Sequence, residues 1–357
     1  MNRVEEFHIF RFCRFIKYTD PTGEVKYVSI FGDKRDTSEN EYRSELNKYL
    51  HIYERPQLKV EFLFVGEQFL KDQPPSNLDP DVKKFLTFIL RAYMPFGVLS
   101  MDVFPEADHI LEQCNDVNKE EEINKLDDLI PKNFVPRDKI AKREMLDRLK
   151  RITETLLTGI RQGLDINCEN RVNALEYFYS SYLDITLTSV PHHDEEYNRM
   201  KELINIEDTY GYVIEHIFKV KQKNGNEMGN VAATDGTKQL FHGTYPNNIL
   251  GILKEGLHKN SDLPHVKGVD PSNRENGDGI YFTDSPRAAL GRFRNHLNDK
   301  EHFPEVTIFY CTVASAEECY NRNEKEYVAR KKEHVKIDYV IKLIEPQEQQ
   351  KKFINTL

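Results

Sequence analysis

Val335-Lys336-Ile337-Asp338-Tyr339-Val340-Ile341-Lys342-Leu343 decides the fold class of the C-terminal third of the chain. Val335, Ile337, Tyr339, Ile341 and Leu343 alternate with Lys336, Asp338, Val340 and Lys342. That period of two predicts a half-buried antiparallel strand. Val306 to Val313 and Tyr212 to Val220, rich in β-branched and aromatic residues, read as two more. Two short helices interrupt them. One runs from Pro246 to Leu257 and ends near Gly256; the other starts at Ser285 and Pro286 and buries Leu290, Phe293 and Leu297.

Upstream, the period changes to that of a helix. Asp79 is an N-cap candidate, with Pro80 at the first helical position and Asp81 in the first turn. Val82, Phe85, Leu86, Ile89 and Leu90 then form one apolar face, as do Met145, Leu149, Ile152, Leu156 and Ile160 in a second helix. Met94-Pro95-Phe96-Gly97 and Leu129-Ile130-Pro131 act as stops, and helices near 170–185 and 194–204 complete a bundle. The first 75 residues mix the two patterns. Strands are expected at Phe7 to Tyr18, Val25 to Phe31 and Leu58 to Val65, with a helix from Glu39 to Tyr53. Lys71 to Asn77 has a linker's composition. The chain is therefore expected to be α+β in three regions: a small α+β module (1–75), a helical bundle (78–210) and an antiparallel β domain (211–357).

Composition sets limits on function. The 357 residues carry 50 Lys plus Arg against 59 Asp plus Glu, a formal charge of −9, which argues against coating nucleic acid through bulk charge. Cys13, Cys114, Cys168, Cys311 and Cys319 include no C-x-x-C pair, so neither a disulfide framework nor a structural zinc is expected, and no metal site is assigned. Met1-Asn2-Arg3-Val4-Glu5-Glu6 is not a signal sequence, and no apolar run reaches the ~18 residues of a membrane span. An intracellular protein with no membrane partner is expected. No G-x-G-x-x-G opens a helix after a parallel strand, so a Rossmann dinucleotide site is not expected.

Three segments of the last region carry chemistry. Leu240-Phe241-His242-Gly243-Thr244 ends a strand with a histidine and a glycine. Gly277-Asp278-Gly279-Ile280-Tyr281-Phe282-Thr283-Asp284-Ser285 is a flexible entry, an aromatic strand and a helix cap. Glu326-Tyr327-Val328 starts a short strand with an acid. Each has an ordinary reading alone: a core histidine, a turn, a solvated glutamate. Their order is what distinguishes them.

In that order they resemble the catalytic domain of the poly(ADP-ribose) polymerase family, diphtheria-toxin-like ADP-ribosyltransferases with a His-Tyr-Glu triad. His242, Tyr281 and Glu326 match the triad, with Glu324 a rival that the downstream register disfavours. Met94 to Ser100, Leu129-Ile130-Pro131, Met145-Leu146-Asp147 and Ile217-Phe218-Lys219-Val220 resemble the helical regulatory domain of the DNA-dependent members. The resemblance implies NAD+ as co-substrate, protein acceptors (automodification included) and a nuclear location with a DNA-repair context. It implies that His242 bonds the adenosine-side ribose, Gly243 pairs the nicotinamide amide, and Tyr281 stacks on the cationic ring. Thr244 and Phe293 complete the implied donor-binding set. Glu326 would stabilise the oxocarbenium-like ribose left by departing nicotinamide. His258 to Gly279 would form the loop over the donor.

Departures accompany the match. Ala289 stands where active members carry a serine, and Arg292, beside Phe293, where a second stacking tyrosine is expected. Only 45 positions separate Tyr281 from Glu326, far fewer than in polymerising members. A non-catalytic NAD-binding or scaffold protein is the rival reading these departures support. In the first module the family's Trp-Gly-Arg signature has Phe31-Gly32-Asp33 as its nearest counterpart, and the chain has no tryptophan. An aspartate repels the phosphate an arginine would hold, so DNA-break binding is not favoured.

Overall fold

A computed structural model describes residues 4–10, 13–19, 25–31, 74–93, 101, 103–113, 126, 139–164, 171–204, 209–223, 236–259, 276–294, 305–321 and 324–346. It is a mixture of helices and antiparallel sheets, the expected α+β class. The chain divides into two compact units: 1–78 with 86–182, and 79–85 with 183–357.

In the first unit, β1 (Val4–Phe10), β2 (Cys13–Thr19) and β3 (Val25–Phe31) form an antiparallel meander. Phe7 to Tyr18, expected as one strand, is thus two, paired from Val4↔Tyr18 to Phe10↔Cys13. The helix expected at Glu39 to Tyr53 and the strand at Leu58 to Val65 lie outside the described residues, as do Met94 to Ser100 and Leu129 to Pro131. Helix α1 (Pro80–Tyr93), divided between the two units after Phe85, starts where its cap signal stands, Asp79 Oδ1 accepting from the amides of Asp81 (2.9 Å) and Val82 (3.2 Å). Its five face residues are all buried. Helices α2 (Val103–Gln113), α3 (Lys139–Leu164) and α4 (Ala174–Tyr182) follow. Gly159 of α3 lets α4 approach: a Cβ there would lie 3.0 Å from the Ala174 carbonyl oxygen and from Tyr177 Cβ.

The second unit is built on a five-stranded antiparallel sheet, in spatial order β4 (Ile185–Ser189), β5 (Val213–Gln222), β11 (Val335–Ile344), β8 (Glu305–Ala314), β6 (Thr237–Gly243). A three-stranded sheet, β7 (Ile280–Phe282), β10 (Glu324–Ala329), β9 (Glu317–Asn321), lies beside it. Strand β4 falls inside a stretch read as helical; Ile185-Thr186-Leu187-Thr188-Ser189 is too short to set a period, and pairing with β5 decides it. Helices α5 (Glu195–Leu203), α6 (Pro246–Glu255) and α7 (Pro286–Arg294) complete the unit.

Strand β11 departs from the half-buried expectation. One face carries Tyr339, Ile341 and Leu343 into a core with Tyr197 and Met200 of α5 and Leu290 of α7. The other carries Val340 opposite Phe218 and Phe309, all buried, and Phe85 stacks on Phe218 at 5.0 Å. A central strand is covered on both sides, so Lys342 is buried too; it pairs with Glu215 at 2.6 Å and Glu305 at 3.0 Å. On the α5 face, Glu196 accepts from the Tyr339 hydroxyl and pairs with Lys219. Burial and that neighbouring carboxylate push the Tyr339 phenol up to about 12.

Candidate functional site

His242 and Tyr281 meet because two sheet edges are bridged. Phe241 of β6 exchanges both backbone hydrogen bonds with Thr283, just past β7, at 2.7 and 3.0 Å. His242, one residue after Phe241, and Tyr281, two residues before Thr283, are thereby brought within reach, and His242 Nδ1 lies 2.9 Å from the Tyr281 carbonyl oxygen. A carbonyl only accepts, so Nδ1 carries the proton. In the neutral ring, Nε2 is then the acceptor.

Glu326 joins them through strand register. Tyr281 pairs with Val328 of β10, and Glu326 lies two residues earlier on the same face of that strand. Tyr281 is 3% exposed and Glu326 6%. The ordinary reading of Glu326 as a solvated charge therefore fails: the strand's middle position withdraws it from water. Across β9, Cys319 is its direct partner, and the Cys319 thiol donates to the Glu326 carbonyl at 3.6 Å. The Tyr281 hydroxyl donates to the carbonyl of Gly277, whose φ of +79° suits glycine.

The glycine after His242 is required by packing. A Cβ on Gly243 would sit 1.8 Å from the carbonyl oxygen of Ala289, so α7 presses directly on the end of β6. Ala289 itself is fully buried. Thr244 is buried where the chain turns into α6, its Oγ1 accepting from Asn248 Nδ2 at 3.3 Å. The side chains of Phe293 and Arg292 lie outside those described, as do residues 260–275 of the loop from His258 to Gly279. Among the described ends of that loop, Lys259 pairs with Asp278 at 3.4 Å.

Two neighbours escaped the sequence. Tyr327, beside Glu326 but on the opposite face, donates to Asp284 at 3.3 Å and has Lys238 4.9 Å above its ring. Arg330 sits in a basic run, Arg330-Lys331-Lys332, that reads as solvated, yet its guanidinium bonds the carbonyl oxygens of Asn276 and Asp278. No pattern of residue types announces either. A separate cavity of about 320 Å³, lined by Ile185, Val220, Ile252, Leu257, Val335 and Ile337 among others, includes none of His242, Tyr281 or Glu326. Among the described residues there is no cluster of three or more metal-ligating side chains, and no helix is long and apolar enough to cross a membrane.

Residues 194–356 match the family described as the poly(ADP-ribose) polymerase catalytic domain. Protein mono-ADP-ribosyltransferase PARP4 of Mus musculus is 29% identical over 200 residues, which cover 46% of this chain and 10% of that protein. The matched part of the chain therefore spans about a tenth of the length of the curated relative.

Proposed function

We propose, from the membership of residues 194–356 in the poly(ADP-ribose) polymerase catalytic family, that the protein transfers ADP-ribose from NAD+ to protein acceptors and releases nicotinamide. The observation that supports this reading is the His242 Nδ1 bond to the Tyr281 carbonyl, with Glu326 buried on the strand that pairs with β7. Under it, the Nε2 acceptor of His242 holds a ribose hydroxyl, and the Gly243 backbone pairs the nicotinamide amide. The π face of Tyr281 suits the cationic ring. As the bond from the ribose anomeric carbon to the ring nitrogen breaks, nicotinamide leaves with the electron pair. Glu326, bonded to the ribose 2′-hydroxyl, stabilises the positive charge that develops on the sugar. The acceptor then attacks the anomeric carbon and loses its proton.

The product is a single ADP-ribose unit under this reading. Two points support that: the 45 positions from Tyr281 to Glu326 leave little acceptor-side surface, and the relative is named a mono-ADP-ribosyltransferase. The helical region 78–210 acts as the regulatory part, and the protein works in the nucleus on protein acceptors that include itself.

Incubation of the purified chain with labelled NAD+ tests the reading. Wild type transfers label that runs as one discrete band, and Glu326→Gln lowers transfer about 10²-fold or more. Absence of transfer by wild type, or equal transfer by E326Q, overturns it. Ala289 in place of the family's serine favours one other reading, an NAD-binding scaffold. That reading is supported by NAD+ raising the melting temperature without nicotinamide release.

A further inference from the structure

Arg330 follows β10 directly, four positions beyond Glu326, and its guanidinium is engaged on two sides. Nε and Nη2 donate to Glu317 Oε2 on β9 at 2.8 and 2.5 Å. Nη1 donates to the carbonyl oxygens of Asn276 and Asp278 at 3.0 and 2.6 Å. Between those two residues stands Gly277, in the left-handed region at φ +79°. Its carbonyl accepts the Tyr281 hydroxyl. The carbonyls of this short segment are thus divided. Those of 276 and 278 go to the arginine, and that of 277 goes to the tyrosine.

The consequence is mechanical. Tyr281 is held at its backbone by the pairing with Val328 and by the His242 bond to its carbonyl. At its far end, the hydroxyl is bonded to the Gly277 carbonyl, and the carbonyls on either side of Gly277 are gripped by Arg330. Arginine suits this work because its planar fork serves a carboxylate and two carbonyls together; a lysine ammonium on a flexible stem does not. The Glu317 carboxylate orients the guanidinium through Nε and Nη2, leaving Nη1 to the loop carbonyls.

We propose that Arg330 is a positioning residue for the donor site. It fixes the segment Asn276–Asp278, and through it the angle of the Tyr281 ring against the nicotinamide of bound NAD+. The inference rests on the function proposed above. A contact to the cationic ring is made at least as strongly in the ground state as in the transition state, so its loss raises KM without lowering kcat.

The experiment uses the full chain as wild type, R330A, R330K, Y281F and the double variant R330A/Y281F. It measures steady-state nicotinamide release, calorimetric binding of a non-hydrolysable carba analogue of NAD+, and melting temperature. R330A is expected to raise KM for NAD+ and weaken analogue binding about tenfold, with kcat within about twofold of wild type. R330K retains most of the defect, because charge alone does not restore the fork. R330A/Y281F is no worse than the poorer single variant, since both act through the Gly277 carbonyl. A purely structural role instead lowers the melting temperature and the active fraction at unchanged KM, and that result overturns the proposal. So does an R330A effect within twofold, or full additivity in the double variant. Wild type that neither binds the analogue nor releases nicotinamide overturns the proposed function and this inference with it. Wild type that does both, with R330A unchanged, overturns this inference alone.

Discussion

The Nδ1–H of His242 is bonded to the carbonyl oxygen of Tyr281 at 2.9 Å, so one candidate side chain is oriented by the backbone of another. The imidazole has two separable duties: a donor that fixes strand β7 and an acceptor at Nε2. Asparagine reproduces the first and glutamine the second. H242N is expected to melt with wild type but to bind NAD+ about tenfold more weakly, having lost the acceptor. H242Q keeps an acceptor but loses about 1 kcal/mol of stability with the Tyr281 bond. Denaturant unfolding and calorimetric titration of the two variants check the pair.

Gly243→Ala has nowhere to put its methyl group, which would lie 1.8 Å from the Ala289 carbonyl oxygen. Backbone on both sides of the contact means the strain is relieved only by moving α7 away from β6. About 3 kcal/mol of destabilisation is expected, at the upper end of overpacking costs. The midpoint of urea unfolding reads it directly.

Ala289→Ser restores the hydroxyl that the family resemblance assigns to the nicotinamide amide. One neutral hydrogen bond contributes about 0.5–1.5 kcal/mol, which is a two- to tenfold tighter site. NAD+ titration followed by melting temperature should show the variant reaching half-saturation at the lower concentration.

His216, on β5, gives the second unit a pH dependence. Burial lowers its pKa below the ordinary value; Asp81 (3.5 Å) and Glu215 (3.8 Å) pull it upward, while Lys342 and Lys84 add to the lowering. The native state therefore holds His216 neutral while the unfolded chain takes up a proton at about pH 6.5. Its contribution to stability is fully present above that pH and declines as the pH falls below it. Denaturant unfolding at pH 7.5 and 5.5 should show wild type losing stability on acidification, and H216N losing less.

Strands β5, β8 and β11 were legible because each runs eight or more residues rich in β-branched and aromatic types, and α1 because a cap, a proline and an apolar face coincide. What escaped shares one cause: burial imposed by neighbours distant in sequence. Phe10 and Cys13 bound a hairpin with no Gly, Pro, Asn or Asp between its strands, so no turn residue marked it. Lys342 and Glu326 look solvated in their local sequence, and both are buried because partners pair on each side of their strands. Arg330 carries no local mark of the loop it grips, because its partner carbonyl at Asn276 lies more than 50 residues upstream. The histidine, tyrosine and glutamate were readable as an ordered set; the bonds that orient them were not.

The Phe241–Thr283 bridge also governs when the site comes into being. The residues it joins are 42 apart in sequence, and among the described strands of the five-stranded sheet β6 pairs with β8 alone. Closing such long loops is slow compared with forming a helix, because the entropy of the intervening chain is lost before the new pairing repays it. The candidate site therefore needs two further pairings, β6 with β8 and β7 with β10, before His242 and Tyr281 are held together. A nascent chain released before β8 and β10 have emerged holds His242 and Tyr281 without the sheets that bring them together.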